Sequence, residues 1–191
     1  MQYALDTASI KTSLDVLALK HERIARALAQ VGYPEERRRE HSFATLARIV
    51  VGQQISVSAA ASVTTKLLAS LGGDLTAEAV LRADETTLRS AGLSRQKVEY
   101  MRCLATAEAT HVLSLEALPS LSDDEAIRAI TQIKGFGDWS AHMYLMFSLG
   151  RPNIWPVGDL AVREGFKRIH GLEARPTIGP VSYTHLRAHE T

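Results

Sequence analysis

Cysteine is nearly absent: Cys103 is the only one in 191 residues. One thiol cannot form an internal disulfide, a four-thiolate zinc site or an iron–sulfur cluster. A reducing compartment, the cytoplasm, is therefore the expected location. No uninterrupted apolar run approaches the roughly 20 residues of a membrane span, and the opening MQYALDTASIKTSLDV lacks the charged-then-apolar order of a secretory leader. A membrane is not an expected partner. An excess of charge of one sign is missing as well, with 22 Lys and Arg against 21 Asp and Glu and a net charge of +1. That balance neither requires nor excludes a nucleic-acid partner, because local placement decides. The remaining composition, 46% hydrophobic and 23% charged with 12 Gly and 6 Pro, excludes disordered and collagen-like classes. The length suits one domain, or two small lobes sharing a core.

Strand-like alternation is also scarce; the apolar spacing is helical almost throughout. Leu14 to Val31 reads as one amphipathic helix, with Leu17, Ile24 and Leu28 on a common stripe and Gly32 as its stop. A polar linker with Arg37, Arg38 and Arg39 follows, and is expected to be solvated. Ser42 can cap a helix to Val51, Ser56 or Ser58 a small-residue helix to Leu71, and Thr76 and Asp84 two short ones, the second ending at Gly92. Ser94 opens a helix to about Leu113. Ser122 and Glu125 make a capping box for a helix ending at Lys134–Gly135. Further helices run from near Asp138 to Leu149 and from Asp159 to His170, the last stopped by Gly171. About ten helices joined by short loops, with no fixed-period repeat, predict an all-α fold.

Two segments carry candidate chemistry. In the first, Thr131-Gln132-Ile133-Lys134-Gly135-Phe136-Gly137-Asp138-Trp139, a capped helix leads through Gly-x-Gly directly into another helix. The glycines permit positive φ and close backbone approach, and the amides opening the second helix form an anion cradle suited to a nucleic-acid phosphate. The same pattern also fits a plain helix–helix turn. The second segment, Asn153-Ile154-Trp155-Pro156-Val157-Gly158-Asp159, places Asp159 at a helix start, where it is either a simple N-cap or a fixed carboxylate. Trp139, Met143 and Met146 lie at helical spacing and fit either a hydrophobic core or an aromatic wall.

Gly-Phe-Gly-x-Trp followed by Trp-Pro-Val-Gly-Asp, with Asp159 twenty residues beyond Trp139, resembles the helix–hairpin–helix, glycine/proline-rich loop, aspartate signature of the DNA glycosylase superfamily. Upstream, Val51-Gly52-Gln53-Gln54-Ile55-Ser56 followed by Ala59 and Ala60 is similar to the Gly-Gln-Gln segment of the 3-methyladenine DNA glycosylase II branch. The likeness covers roughly residues 12–177. It implies two helical lobes, here a middle lobe of about 41–137 and another from 1–40 plus 138–178. It also implies an enzyme acting on alkylated purines in duplex DNA by base flipping, as a monomer (nucleoid-associated in a prokaryote) and without a required cofactor. Asp159 would be the catalytic carboxylate, facing the positive charge that builds on the deoxyribose. Trp139, Met143 and Trp155 would line the base pocket, where an electron-rich ring attracts a cationic purine. Gln53 and Gln54, Lys134, Gly135, Phe136 and Gly137 would meet DNA, with Gln54 as a wedge into the vacated stack. Ser94, Arg95 and Lys97 would touch phosphates, or simply form a solvated helix face. The backbone carbonyls of Thr131, Ile133 and Phe136 would hold a structural monovalent cation, sodium or potassium.

Departures from the family pattern sharpen the expectation. Where the strand-cutting branch has a Schiff-base lysine, two residues beyond the second hairpin glycine, this chain has Trp139. With a lone cysteine, the iron–sulfur branch is disfavoured too. A monofunctional enzyme with water as nucleophile follows; the rivals are a non-catalytic hairpin scaffold and a bifunctional glycosylase–lyase. Beyond Arg175-Pro176-Thr177, relatives continue with a further helix. Residues 179–191 instead lack apolar periodicity and are expected to be a non-native tail on a truncated enzyme. His185 and His189, spaced i, i+4, have no evident third metal ligand.

Overall fold

Six of the expected caps close a helix start through their own side chains. Ser56, Thr76, Asp84, Ser94, Ser122 and Asp159 each accept a backbone N–H from two or three residues ahead. In the computed structural model, which describes residues 3–179, the result is all-α: ten α-helices and one 3₁₀ turn, with no strand among the described residues. The helices are α1 (Thr7–Lys20), α2 (Glu22–Val31), α3 (Phe43–Gly52), α4 (Val57–Ser70), α5 (Ala77–Arg82), α6 (Glu85–Ser90), α7 (Arg95–Ala109), α8 (Asp123–Thr131), α9 (Asp138–Phe147) and α10 (Leu160–His170). No helix among these residues is long and apolar enough to cross a membrane. The segment set apart as a tail, with His185 and His189, lies outside the described residues save for Gly179.

The chain forms two compact units, 39–149 and 3–38 with 150–179. In the first, α3 packs against α4, α7 and α9, and α7 in turn against α5 and α6. Leu46, Val50 and Val51 of α3, Leu67 of α4, Val80, Leu88, Met101, Leu104, Ile130 and Leu145 are fully buried. Burying each such side chain favours folding by about 1.5–3 kcal/mol, so this unit holds the main core. Tyr144 is buried with them; its hydroxyl donates to His41 Nδ1 at 2.8 Å, and His41 Nε2 meets the Leu115 carbonyl at 2.9 Å. Helix α9 packs on α8 and α3, so the boundary between units falls after Leu149 rather than after residue 137.

The second unit joins α1, α2 and α10, with α2 touching both others. Here the sequence expectation needs correction: Leu14–Val31 is not one helix. His21 adopts an extended conformation (φ −133°, ψ 101°). Its N–H closes α1 on the Leu17 carbonyl, while its own carbonyl accepts Ile24 and Ala25 N–H to open α2. The stripe is thereby divided, Leu17 on α1 and Ile24 and Leu28 on α2. No proline or glycine marks the break, and α1 starts earlier than expected, at Thr7, because Asp6 Oδ1 accepts the Ser9 N–H at 2.7 Å. The arginine linker is exposed as expected, with Arg38 over the Tyr3 ring. Other helices stop short of their expected ends, among them α6 at Ser90, α7 at Ala109, α8 at Thr131 and α9 at Phe147.

Helix α9 also carries a half-buried histidine, His142, whose pKa is pushed down by burial, with Asp138 partly opposing. A histidine harder to protonate folded than unfolded destabilises the fold as pH falls through its unfolded value near ~6.5. Stability is therefore expected to fall on acidification from pH ~7 to below 6, and His142→Gln to flatten that decline. Denaturant midpoints of both proteins across this pH range are the check; parallel curves would show that His142 contributes nothing.

Candidate nucleic-acid interface and catalytic residues

The hairpin between α8 and α9 is built by two tight turns in succession, Ile133 N–H to the Ile130 carbonyl at 3.2 Å and Phe136 N–H to Ile133 at 3.0 Å. The buried side chains of Ile133 and Phe136, 4% and 5% exposed, anchor them to the core, so any contact of Phe136 with DNA must come from its backbone. Gly135 has φ +95°, and a Cβ there would lie 2.1 Å from Tyr100 Cγ. Glycine is thus required by both conformation and packing. Gly137 is the N-cap of α9 and no side chain caps that helix. Its first-turn amides lie outside the intrahelical ladder and, with the positive dipole end, suit a phosphate.

Three other elements of the same unit close on this hairpin. From the α3–α4 turn, Gln53 Nε2 donates to the Gly135 carbonyl at 2.8 Å. From α7, Tyr100 lies against Gly135, Glu99 pairs with Lys134, and Lys97 Nζ donates to the Val51 carbonyl at 2.7 Å, at the C-terminal end of α3. Burial lowers the Lys97 pKa, and the bond to Glu99 raises that of Lys134. Ser94 Oγ caps α7, and exposed Arg95 approaches Glu85 at 3.8 Å. So Gln53, Gln54, Ser94, Arg95, Lys97 and residues 134–137 belong to one unit, yet Gln53, Lys97 and Lys134 all have intramolecular partners. Gln54 is exposed.

Trp139 and Met143 are one turn apart on α9, Trp139 39% exposed and Met143 half-buried. In the second unit, the loop after Leu149 holds Trp155 half-buried, and Val157 N–H bonds its carbonyl at 2.9 Å. Asp159 N–H bonds the Pro156 carbonyl at 2.8 Å, which closes the loop directly onto α10. Asp159 Oδ1 accepts both Ala161 and Val162 N–H, at 2.8 and 3.1 Å. The N-cap role is therefore real, and it holds the carboxylate on the first turn of a helix. The three carbonyls considered for a monovalent cation lie within the 131–136 turn, where Ile133 accepts one N–H and keeps its second lone pair. Oxygen donors of this kind fit a hard cation. A cavity of about 780 Å³ in the first unit, lined by Thr76, Arg82, Glu108 and His111 among others, includes none of the expected site residues. Tyr100 was not foreseen: nothing in its own neighbourhood marks it, and only the need for glycine at 135 hints at a close neighbour.

The model of the HhH-GPD superfamily of base excision DNA repair proteins matches residues 47–185, which takes in part of the segment set apart as a tail. DNA-3-methyladenine glycosylase 1 of Schizosaccharomyces pombe is 32% identical over 142 residues, covering 73% of this chain and 62% of that protein. The chain thus spans less than two thirds of that relative's length. Among solved structures, the S. pombe 3-methyladenine DNA glycosylase in complex with abasic DNA is similar with a TM-score of 0.83 at 30% identity, covering 90% of this chain and 86% of that one. A DNA-3-methyladenine glycosidase from Bacillus halodurans gives 0.78 at 28% identity, covering 90% and 79%.

Proposed function

The chain belongs to the HhH-GPD superfamily of base excision DNA repair proteins, and from that premise we propose that it is a monofunctional DNA glycosylase hydrolysing the N-glycosidic bond of alkylated purines in duplex DNA. The observation that carries this reading is Asp159, fixed by two helix amides at the end of a proline- and glycine-containing loop, in a chain with Trp rather than Lys at position 139. Names of relatives support the substrate class: those of S. pombe and Saccharomyces cerevisiae are called 3-methyladenine glycosylases.

The chemistry follows. The hairpin amides hold a phosphate and the target nucleotide leaves the stack. The bond from C1′ to the base nitrogen breaks, and its electron pair neutralises the cationic purine, which explains the lack of a dedicated general acid. Positive charge develops on the sugar and is met by the Asp159 carboxylate. Water adds to C1′ and gives up its proton to solvent. Trp139 and Met143 offer an apolar and π surface for the base, and Trp155 is a further aromatic candidate for it. Carbonyls of Thr131, Ile133 and Phe136 would hold a monovalent cation whose charge favours a bound phosphate. One chain acts alone on duplex DNA.

Incubation with methylated duplex DNA is expected to release 3-methyladenine and 7-methylguanine while leaving the strand intact until heat or base is applied. Duplex binding without base release would support a non-catalytic scaffold. Strand nicking with a borohydride-trapped protein–DNA adduct would instead support a lyase.

A further inference from the structure

Between α3 and α4 the chain makes a turn in which Gln53 has φ −58°, ψ 127° and Gln54 has φ +58°. This is the type II pattern, whose third residue is ordinarily glycine or asparagine. A glutamine at positive φ is uncommon and persists only where its surroundings over-determine it. The Ile55 N–H to Gly52 carbonyl distance is 3.5 Å, too long to secure the turn alone. Two tertiary bonds bracket it. Lys97 Nζ fixes the Val51 carbonyl just before the turn, and Gln53 Nε2 fixes its second residue to the Gly135 carbonyl. Gly135 itself lies against the Tyr100 ring. Gln53 is half-buried, whereas Gln54 beyond it is exposed.

We propose that Gln53 is a positioning residue rather than a DNA contact: its amide locks the turn that bears Gln54 to the phosphate-binding hairpin, so wedge and clamp form one rigid block. The inference rests on the glycosylase reading. A base is expelled only if the inserting side chain cannot recoil. A recoil-resistant wedge must be braced against something fixed to the DNA, and the hairpin is the element suited to grip the backbone. Bracing acts through pre-organised geometry, so it should appear in the rate of base release and not in affinity for ordinary duplex.

The test is a double-mutant cycle with Gln53→Met, which keeps the length and removes the donor, and Gln54→Ala. Gln53→Met alone is expected to slow single-turnover release of 7-methylguanine about tenfold, with undamaged-duplex affinity changed less than about twofold. In the Gln54→Ala background it should cost almost nothing further, as coupled residues do. Independent, multiplying effects would mean that Gln53 acts on DNA directly, and an unchanged rate would mean that the lock is idle; either overturns the proposal. A parallel arm needs no DNA. Amide exchange at residues 54–56 and 136 should quicken in Gln53→Met, with global unfolding unchanged. Unaltered exchange, or a uniform loss of stability, would defeat the lock by itself. If the parent protein releases no base at all, the glycosylase reading fails while the exchange arm still decides the lock.

Discussion

Asp159→Asn is expected to reduce single-turnover base release by about a hundredfold to a thousandfold, the usual loss when one preorganised electrostatic contact to a transition state is removed. Both capping bonds are accepted by Oδ1, and asparagine retains that oxygen at nearly the same position. Helix α10 should therefore stay capped, and the thermal midpoint should barely move. What disappears is the negative charge that, in the proposed mechanism, faces the developing oxocarbenium ion. Duplex affinity at fixed salt should persist, or rise slightly, since an acid near phosphate has been neutralised. Release rates, affinities and melting curves of the two proteins, compared side by side, separate the roles. Undiminished release with the fold intact would leave Asp159 as a helix cap and nothing more.

Gly135→Ala is expected to be the most damaging small substitution in the hairpin. A Cβ at φ +95° strains the backbone by roughly 1–2 kcal/mol, and the new carbon would sit 2.1 Å from Tyr100 Cγ, an overpacking cost of about 1–3 kcal/mol. The sum corresponds to a drop in melting temperature of about 4–20 °C for a chain of this size. Duplex affinity should fall with it, because in the proposed function the turn shapes the phosphate cradle. Combining the change with Tyr100→Ala isolates the two causes: the ring collision vanishes and only the backbone strain remains, so Gly135→Ala should cost less there. Equal costs in both backgrounds would show that the Tyr100 contact is irrelevant.

These expectations draw on different depths of the sequence. The caps were legible because a Ser, Thr or Asp and the amide it receives lie within three residues of each other, and the hairpin and aspartate loop were legible because their glycines and prolines act locally. The break at His21 left no mark, for it comes from one extended residue whose N–H and carbonyl are both used by the flanking helices. Nor could the sequence say that Lys97 bonds the Val51 carbonyl, or that Lys134, though exposed, pairs with Glu99. A positive charge in a string of letters has no partner until tertiary packing supplies one. The same holds for Tyr100, thirty-five positions before the glycine it touches.

The unit that contains α1, α2 and α10 is assembled from two stretches of chain separated by the whole of 39–149, and this imposes an order on synthesis. Helices α1 and α2 leave the ribosome before 39–149, but α10, the helix that packs on α2, emerges only after more than a hundred further residues. At common translation speeds that interval is on the order of ten seconds. For its duration α1 and α2 are a helical pair without the helix that packs on α2, while the continuous stretch 39–149 can already bury its own core. The pair made before the 39–149 core is thus completed after it, and until α10 arrives that pair is the part more open to aggregation and to proteases.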